Sequence, residues 1–322
     1  ARTTVTELAL HMLTTARFYE PGIIEDVDPE CLHQYRVSLR KLRAVLSVLR
    51  EVYPAEEVQQ WRDQLADIMK GTNQLRDLDV QMEDLQQYTD TIPAEYRPGF
   101  AKIVERSRHS RSRQHSQVKD YLESNEYLRR ITVIREELES AHSLPQTALS
   151  SRPIIKVVDE LLKIHHKKLK QKAKKVSGRA GTRPQTDGRA PAGIEAPEDQ
   201  AVPEGRPARG RHHNYEQIHK VRIEGKKLRY LYEFFSPLYS SGRIKPAVKQ
   251  LKKMQNCLGS YNDLCTQRGF FQQQAQEAQQ QHEVDTALAI GGITALIDQK
   301  CNQVQAEALE RIETFVHLTQ EE

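Results

Sequence analysis

A short stretch of this chain, HQYRVSLRKLR, carries a row of cationic side chains at helical spacing. His33, Arg36, Arg40 and Arg43 stand at positions i, i+3, i+7 and i+10, which on a helix fall within an arc of about 80°. Like charges so placed destabilise a helix by about 0.2–0.5 kcal/mol per pair. Because no acidic residue lies on this stripe, we expect it to bind an anion. Arginine offers paired hydrogen bonds to phosphate oxygens, and histidine offers a donor that a bound anion helps to protonate.

The same pattern returns later in the chain. HKVRIEGKKLR repeats the stretch with an offset of 186 residues, and its stripe positions are His219, Arg222, Lys226 and Arg229. Without a gap, the same offset relates Tyr53 to Tyr239, Leu65 to Leu251, Asp77 to Asp263 and Leu78 to Leu264. The chain is therefore predicted to contain a duplication whose copies are related by a pseudo-two-fold axis. In that arrangement the two stripes would line a single positive groove, which focuses the electric field.

Other cationic residues are secondary candidates for the same groove. They lie beside the stripes or in further basic rows: Lys41, Lys227, Lys249, Lys252, Lys253, Arg106, His109 and Arg113. Rows of this kind are more typical of solvated helix faces. The run from Lys163 to Lys175, KIHHKKLKQKAKK, contains seven lysines and no acid. It indicates either a polyanion contact or a charged helix end.

The stripes need helices to position them, and apolar residues at helical spacing predict those helices. The expected ranges are 3–19, 30–53, 55–88, a fourth helix after Pro93 and Pro98 that bends near Asn125, 153–176, 214–235, 246–279 and 284–318. Strand-type alternation is nearly absent. The sequence thus predicts an all-α protein of two four-helix bundles, residues 1–150 and 151–322, related by pseudo-two-fold symmetry. A Gly/Pro/Ala-rich insertion is expected at about 176–211 in the second bundle.

The composition excludes several classes of protein. The 322 residues are enough for two hydrophobic cores, hydrophobic residues make up 38%, charged residues 29%, and the net charge is only +4. No apolar run approaches the roughly 18 residues of a membrane span. Four cysteines without a C-x-x-C pair are too few for a disulfide scaffold and favour a reducing compartment. We therefore expect a cytoplasmic protein.

Signatures of catalysis are missing from the sequence. It has no P-loop, no G-x-S-x-G and no H-E-x-x-H pattern, and no Asp-rich group suited to Mg²⁺ stands out. The adjacent pairs His165-His166 and His212-His213 would face different sides of a helix and suit a metal ion poorly. We therefore expect no metal, no cofactor and no enzymatic activity.

Together the two motifs resemble the CHAD family, the conserved histidine α-helical domain. The resemblance rests on HQYRVSLRKLR followed by LRDLDV, and on HKVRIEGKKLRYLYEFF followed by LKKMQNCLGSYNDL. It implies paired four-helix bundles that bind inorganic polyphosphate in a central basic channel, with polyphosphate granules as a partner. The positions corresponding to the channel lining are His33, Arg36, Arg40, Arg43, His219, Arg222, Lys226 and Arg229. The insertion at about 176–211 departs from the family pattern.

Two other functions compete with polyphosphate binding. RNA has the same backbone charge, but an RNA-binding surface would want aromatic platforms for its bases. Tyr35 and Tyr230 project about 100° away from the neighbouring stripe residues, so nucleic acid is expected only as a competing polyanion. The other interpretation is an enzyme that cleaves phosphoanhydrides with His33 or His219 as general acid. No metal-holding carboxylates accompany these histidines in the sequence.

Overall fold

The structure, a computed structural model, describes residues 1–177, 209–239 and 241–318, and most of these residues are helical. The helices are α1 (Arg2–Phe18), α2 (Glu20–Ile24), α3 (Pro29–Val48), α4 (Ala55–Lys70), α5 (Asn73–Thr89), α6 (Arg97–Glu123), α7 (Asn125–Glu139), α8 (Ile154–Ser177), α9 (Arg209–Phe235), α10 (Ser241–Gln280) and α11 (Val284–Leu318). These ranges contain no strand, so the all-α prediction is confirmed. Within them, none of the helices has the length and apolar character needed to cross a membrane. Most of the predicted insertion, residues 178–208, lies outside the described residues.

The chain divides into two compact units. The first comprises Ala1–Lys163 with Glu233–Leu238, and the second comprises Ile164–Tyr232 with Tyr239–Glu322. Each unit carries one stripe, because α3 lies in the first unit and the stripe of α9 lies in the second. The repeat boundary at residue 150 and the pseudo-two-fold relation between the repeats stay predictions.

In the first unit, α3 packs against α1 through its apolar side. Leu39, Leu42 and Leu46 recur at spacings of three and four and are fully buried, as the core-facing side of an amphipathic helix requires. Tyr35 on the same side is also fully buried, and its hydroxyl lies 3.1 Å from that of Tyr127 on α7. This packing fixes the rotation of α3 about its axis and hence the direction of its stripe.

The prediction of one helix over residues 55–88 is wrong. The chain forms two helices there, α4 and α5, which are separated at Gly71 and Thr72. Thr72 has φ −110° and ψ 1°, and its backbone N–H and Oγ1 both donate to the carbonyl of Met69 at 3.1 and 2.9 Å. A Cβ at Gly71 would stand 2.7 Å from Cε1 of Tyr121. The bare glycine therefore lets the tyrosine ring lie against the break.

Other boundaries agree with the sequence in part. The bend near Asn125 is confirmed, because Ser124 is extended at ψ 144° and its Oγ accepts from the backbone N–H of Tyr127 at 3.2 Å. Helices α9 and α10 each begin five residues before the predicted start. Two short segments look loop-like in the sequence, Gly71-Thr72-Asn73 and Gly259-Ser260. The first lies at the break between α4 and α5, whereas the second lies inside the continuous helix α10. The second unit thus keeps a single helix at the position where the first unit has a break.

A buried charge cluster fastens α8 to α9 in the second unit. Glu224 is 3% exposed, and its two carboxylate oxygens lie 2.6 Å from Nδ1 of His165 and 2.6 Å from Nζ of Lys172. Burial acts to raise the pKa of Glu224, but the hydrogen bonds from His165 and Lys172 outweigh it and lower the pKa to about 2. Two members of the run from Lys163 to Lys175 therefore stabilise the fold.

Helices α10 and α11 form a hairpin that completes the second unit. Three residues connect them, and their middle one, His282, has φ 56°, a left-handed conformation that histidine adopts more readily than most residues. The backbone N–H of Glu283 donates to the carbonyl of Ala278 at 2.9 Å and closes the turn. The short connection makes the two helices pack side by side along their length.

Candidate anion-binding site

The stripe of the first unit lies on a well-anchored helix. Asp28 caps α3 by accepting a hydrogen bond from the backbone N–H of Glu30 at 2.7 Å, and Pro29 occupies the first turn. Along α3 the predicted residues differ in burial: His33, Arg36, Arg40 and Lys41 are half-buried, and Arg43 is 8% exposed. The stripe therefore lies at the edge of the core, where protein surrounds each charge more closely than at an open surface.

Arg36 is held in a fixed position by the break between α4 and α5. Its Nη1 donates to the carbonyl of Met69 at 3.0 Å and to Oγ1 of Thr72 at 2.8 Å. Thr72 is fully buried, so its hydroxyl is a rigid acceptor. Because α4 ends at this point, the Met69 carbonyl is available to a side chain from another helix. The irregular backbone at Thr72 thus orients the guanidinium.

The pKa values of the first stripe report a concentration of positive charge. Burial lowers the pKa of Arg36 to about 10, assisted by the charges of Arg40 and Arg76, while Asp77 acts in the opposite direction. Burial also lowers the pKa of His33, again with Arg76 and Arg40, against the opposing charges of two glutamates. At neutral pH Arg36 keeps its proton and His33 is mostly neutral. An anion bound beside these cations would lower their electrostatic free energy.

Arg76 also belongs to this cluster, although it is not among the residues predicted from the sequence. It lies half-buried on α5, and among the charges that shift the pKa of His33 it has the largest effect. Its partner under the offset of 186 is Asn262, so Arg76 is not a cation that both repeats share. The available signal was its place in LRDLDV, the segment that follows the first motif in the family resemblance.

The second stripe is built in a similar way on α9. In this stripe His219, Lys226 and Arg229 are half-buried and Arg222 is 9% exposed. Lys227, beside the stripe, is also half-buried. Burial lowers the pKa of His219, as do the charges of Arg222 and Lys226, whereas a side-chain hydrogen bond with Asn262 raises it. Asn262 therefore contacts the motif histidine of its own unit as a neutral group, where Arg76 acts on His33 as a cation.

Aromatic side chains beside the stripes are already engaged. Tyr35 is fully buried in the core of its unit. Tyr230 is half-buried, and the guanidinium carbon of Arg229 lies 5.5 Å from the centre of its ring, within the range of a cation–π contact. Neither ring is an open platform for stacking a base.

Most of the secondary candidates outside α3 and α9 are exposed. His109 and Arg113 on α6 are exposed and Arg106 is half-buried, while Lys249, Lys252 and Lys253 on α10 are all exposed. The charges that act on His33 and Arg36 belong to α3 and α5, and those that act on His219 belong to α9. The structure thus brings together His33, Arg36 and Arg40 in the first unit and His219, Arg222 and Lys226 in the second. The secondary rows lie on α6 and α10.

The arrangement suits an anion better than a cation. In the described parts of the chain, no three His, Cys, Asp or Glu side chains are grouped so that they could hold a metal ion. Each unit instead presents a histidine with neighbouring arginine or lysine side chains along one helix. Several anionic oxygens spaced along a chain could pair with such a row in succession.

Comparisons with known proteins agree with this architecture. The family model described as CHAD domain matches residues 7–272. The crystal structure of the CHAD domain from the plant Ricinus communis is similar with a TM-score of 0.66 and 22% identity, covering 98% of this chain and 91% of that one. PptA from Streptomyces chartreusis is similar with a TM-score of 0.68 and 16% identity, covering 97% and 99%. At these identities the two structures show similarity of fold. No curated protein matches the chain.

Proposed function

This chain belongs to the CHAD family, and from that premise we propose that it binds inorganic polyphosphate through the cationic stripes of α3 and α9 without cleaving it. Polyphosphate is a flexible chain of phosphates that has neither bases nor aromatic faces. A partner surface for such a ligand needs cations at regular intervals and little else. In the cell, the corresponding partner is the polyphosphate granule.

The observation that carries the proposal is the cluster of mutually repelling cations in the first unit. Arg36 is fixed by Met69 and Thr72, yet its pKa is lowered because burial and the charges of Arg40 and Arg76 oppose its protonated form. A fold maintains such a cluster at a cost in stability. Phosphate oxygens that enter the cluster remove the repulsion and accept charge-assisted hydrogen bonds.

The absence of open aromatic platforms beside the described stripes favours polyphosphate over RNA. Proteins that bind single-stranded nucleic acid without sequence preference gain about 1–3 kcal/mol per base when the bases stack on aromatic rings. Tyr35 is in the core, and Tyr230 is in contact with Arg229. A ligand without bases loses nothing at such a surface.

The proposal is tested by removing one arginine from each stripe. In the variant Arg36→Ala/Arg222→Ala, each substitution deletes a guanidinium that can bind two phosphate oxygens. We expect the dissociation constant for long polyphosphate to rise at least tenfold at moderate salt, which corresponds to about 1.4 kcal/mol. Isothermal titration calorimetry measures the affinity, and circular dichroism checks that the variant is folded.

The matched control removes the same charge elsewhere. Arg135 forms an ion pair with Glu139, and Arg152 forms one with Glu160. The variant Arg135→Ala/Arg152→Ala should bind polyphosphate as the wild type does. Because Arg222 is nearly buried, a second stripe variant, Arg40→Gln/Lys226→Gln, changes half-buried cations instead. Wild-type affinity in both stripe variants would overturn the assignment of the site.

Competition separates polyphosphate from nucleic acid. Long polyphosphate should displace labelled RNA from the protein far more readily than RNA displaces polyphosphate. The reverse ranking would favour an RNA-binding function. Release of orthophosphate by the purified protein with Mg²⁺, abolished by changing His33 or His219, would instead indicate an enzyme.

A further inference from the structure

The α10–α11 hairpin brings two cysteine side chains into contact. Sγ of Cys265 on α10 lies 3.8 Å from Sγ of Cys301 on α11. Cys265 is half-buried, and Cys301 is 8% exposed. The two residues are 36 positions apart in the sequence, so the contact exists because the hairpin aligns the two helices.

The other two cysteines have different surroundings. Cys257 lies on α10 as well, but its Sγ contacts the backbone carbonyl of Val304 at 3.9 Å. Cys31 lies on α3 in the other unit, and its Sγ is the atom that a Cβ at Gly22 would meet at 2.5 Å. Cys265 and Cys301 are thus the two thiols that face each other, which makes a specific pairing expected rather than random oxidation.

We propose that Cys265 and Cys301 form a dithiol site that a two-electron oxidant of the peroxide class converts into an intramolecular disulfide. This inference is independent of the proposed polyphosphate function. It rests on the contact between the sulfur atoms, on their partial shielding from solvent and on the hairpin that keeps the helices in register.

The chemistry balances with hydrogen peroxide as the oxidant. The thiolate of Cys265, the more exposed of the two residues, attacks one oxygen of the peroxide, so that the O–O bond breaks and a sulfenic acid and hydroxide form. The thiolate of Cys301 then attacks the sulfenic sulfur, forms the S–S bond and displaces a second hydroxide. The hydroxides take up the two protons that the thiols released. In total, two thiols and one peroxide give one disulfide and two molecules of water.

The geometry needs only a small adjustment. A disulfide joins sulfur atoms at about 2.05 Å, so the two Sγ atoms, now 3.8 Å apart, must approach by roughly 1.8 Å. The contact with Cys301 and burial raise the pKa of the Cys265 thiol. Few Cys265 side chains are therefore thiolates at neutral pH, and the oxidation is expected to be slow there.

The disulfide would stabilise the hairpin. It closes a loop that contains the turn between α10 and α11, and such closure restricts the unfolded chain. The oxidised protein should therefore melt several degrees above the reduced protein, and dithiothreitol should reverse the shift. This readout distinguishes a bond between two helices from modification of a single sulfur.

The experiment exposes the whole reduced protein to hydrogen peroxide at mildly alkaline pH and then counts free thiols after unfolding. We expect the count to fall from the four of the reduced chain to two, with an intact mass lower by about two hydrogen atoms. Peptide mapping without reduction should recover one linked pair, containing Cys265 and Cys301.

Variants provide the controls. The double variant Cys31→Ser/Cys257→Ser keeps the facing pair and should form the disulfide as the wild type does, whereas Cys265→Ser should not. If Cys265→Ser fails to fold, the peptide map of the wild type decides the matter alone. Four surviving thiols, a bond that involves Cys31 or Cys257, or a gain of oxygen on a single sulfur would each overturn the proposal.

Discussion

At the scale of single residues, the two motif histidines are poised to take up protons when an anion binds. Burial and neighbouring cations lower the pKa of His33 and of His219, so both are mostly neutral at neutral pH in the free protein. The negative charge of a bound polyanion offsets the effect of those cations, favours the protonated histidines and so raises the pKa of both. By linkage, affinity for polyphosphate should increase as the pH falls from 7 towards about 5.5, because the complex binds more protons than the free protein.

Calorimetry in two buffers of different ionisation enthalpy measures this proton uptake directly at about pH 6. The variant His33→Gln/His219→Gln should lose the uptake, and it should bind with little dependence on pH. The exposed His11 on α1 provides the control, since His11→Gln should keep the wild-type uptake. Equal proton uptake in the wild type and the double variant would show that the histidines do not meet the ligand.

At the scale of the helices, the break between α4 and α5 contains Gly71, whose missing side chain leaves room for the ring of Tyr121. Gly71 has ordinary right-handed helical angles, so its conformation does not require glycine, but a Cβ there would lie 2.7 Å from the ring of Tyr121. Gly71→Ala should lower the free energy of unfolding by about 1–3 kcal/mol, as other overpacked sites do. It should also weaken polyphosphate binding, because Arg36 is anchored at this break.

The matched control for Gly71→Ala is Gly259→Ala in the continuous helix α10. A Cβ at Gly259 would meet nothing within 4 Å, and alanine is favoured over glycine in a helix by about 1 kcal/mol. Gly259→Ala should therefore raise the melting temperature, whereas Gly71→Ala should lower it. Thermal unfolding followed by circular dichroism compares the two, and shifts of the same sign would contradict the role assigned to the break.

At the scale of the whole molecule, the small net charge conceals a strong local concentration of cations. The formal net charge is +4 with histidine counted as neutral, yet six of the eight stripe positions are arginine or lysine. Because polyphosphate releases counterions when cations neutralise it, the logarithm of its affinity should fall linearly with the logarithm of salt concentration. By analogy with single-stranded nucleic acid, the slope is about 0.7 for each neutralised phosphate.

With six to eight phosphates contacted, a slope of about −4 to −6 is expected from that relation. The variant Arg36→Ala/Arg222→Ala should flatten the slope by about 1.4, since two contacts are lost. Titrations at several concentrations of sodium chloride measure both values. An affinity that is insensitive to salt would show that phosphate neutralisation does not drive binding.

Local patterns in the sequence predicted the elements and the residues that depend on one helix at a time. The spacing of His33, Arg36 and Arg40 is a property of α3 alone, and helical periodicity follows from the backbone geometry that every residue shares. The same reasoning placed His219 and Lys226 together on α9. The all-α fold followed because nearly every segment repeats its apolar residues with that period.

The features that the sequence did not predict arise where two helices meet. The apolar period continues across Gly71, and one glycine costs a helix too little to end it, so only the packing of Tyr121 and the hydrogen bonds of Thr72 distinguish α4–α5 from the unbroken α10. Arg76 approaches His33 from a different helix, and no spacing within one segment encodes that approach.

The sequence by itself therefore determined the helices, the duplicated motif and the cationic residues of each stripe, because all of these are periodic along the chain. The tertiary structure decided how Arg36 is held against Met69 and Thr72, and that Cys265 meets Cys301. The physical reason is that such contacts join residues far apart in sequence. Their existence depends on the packing of whole helices, which no local pattern records.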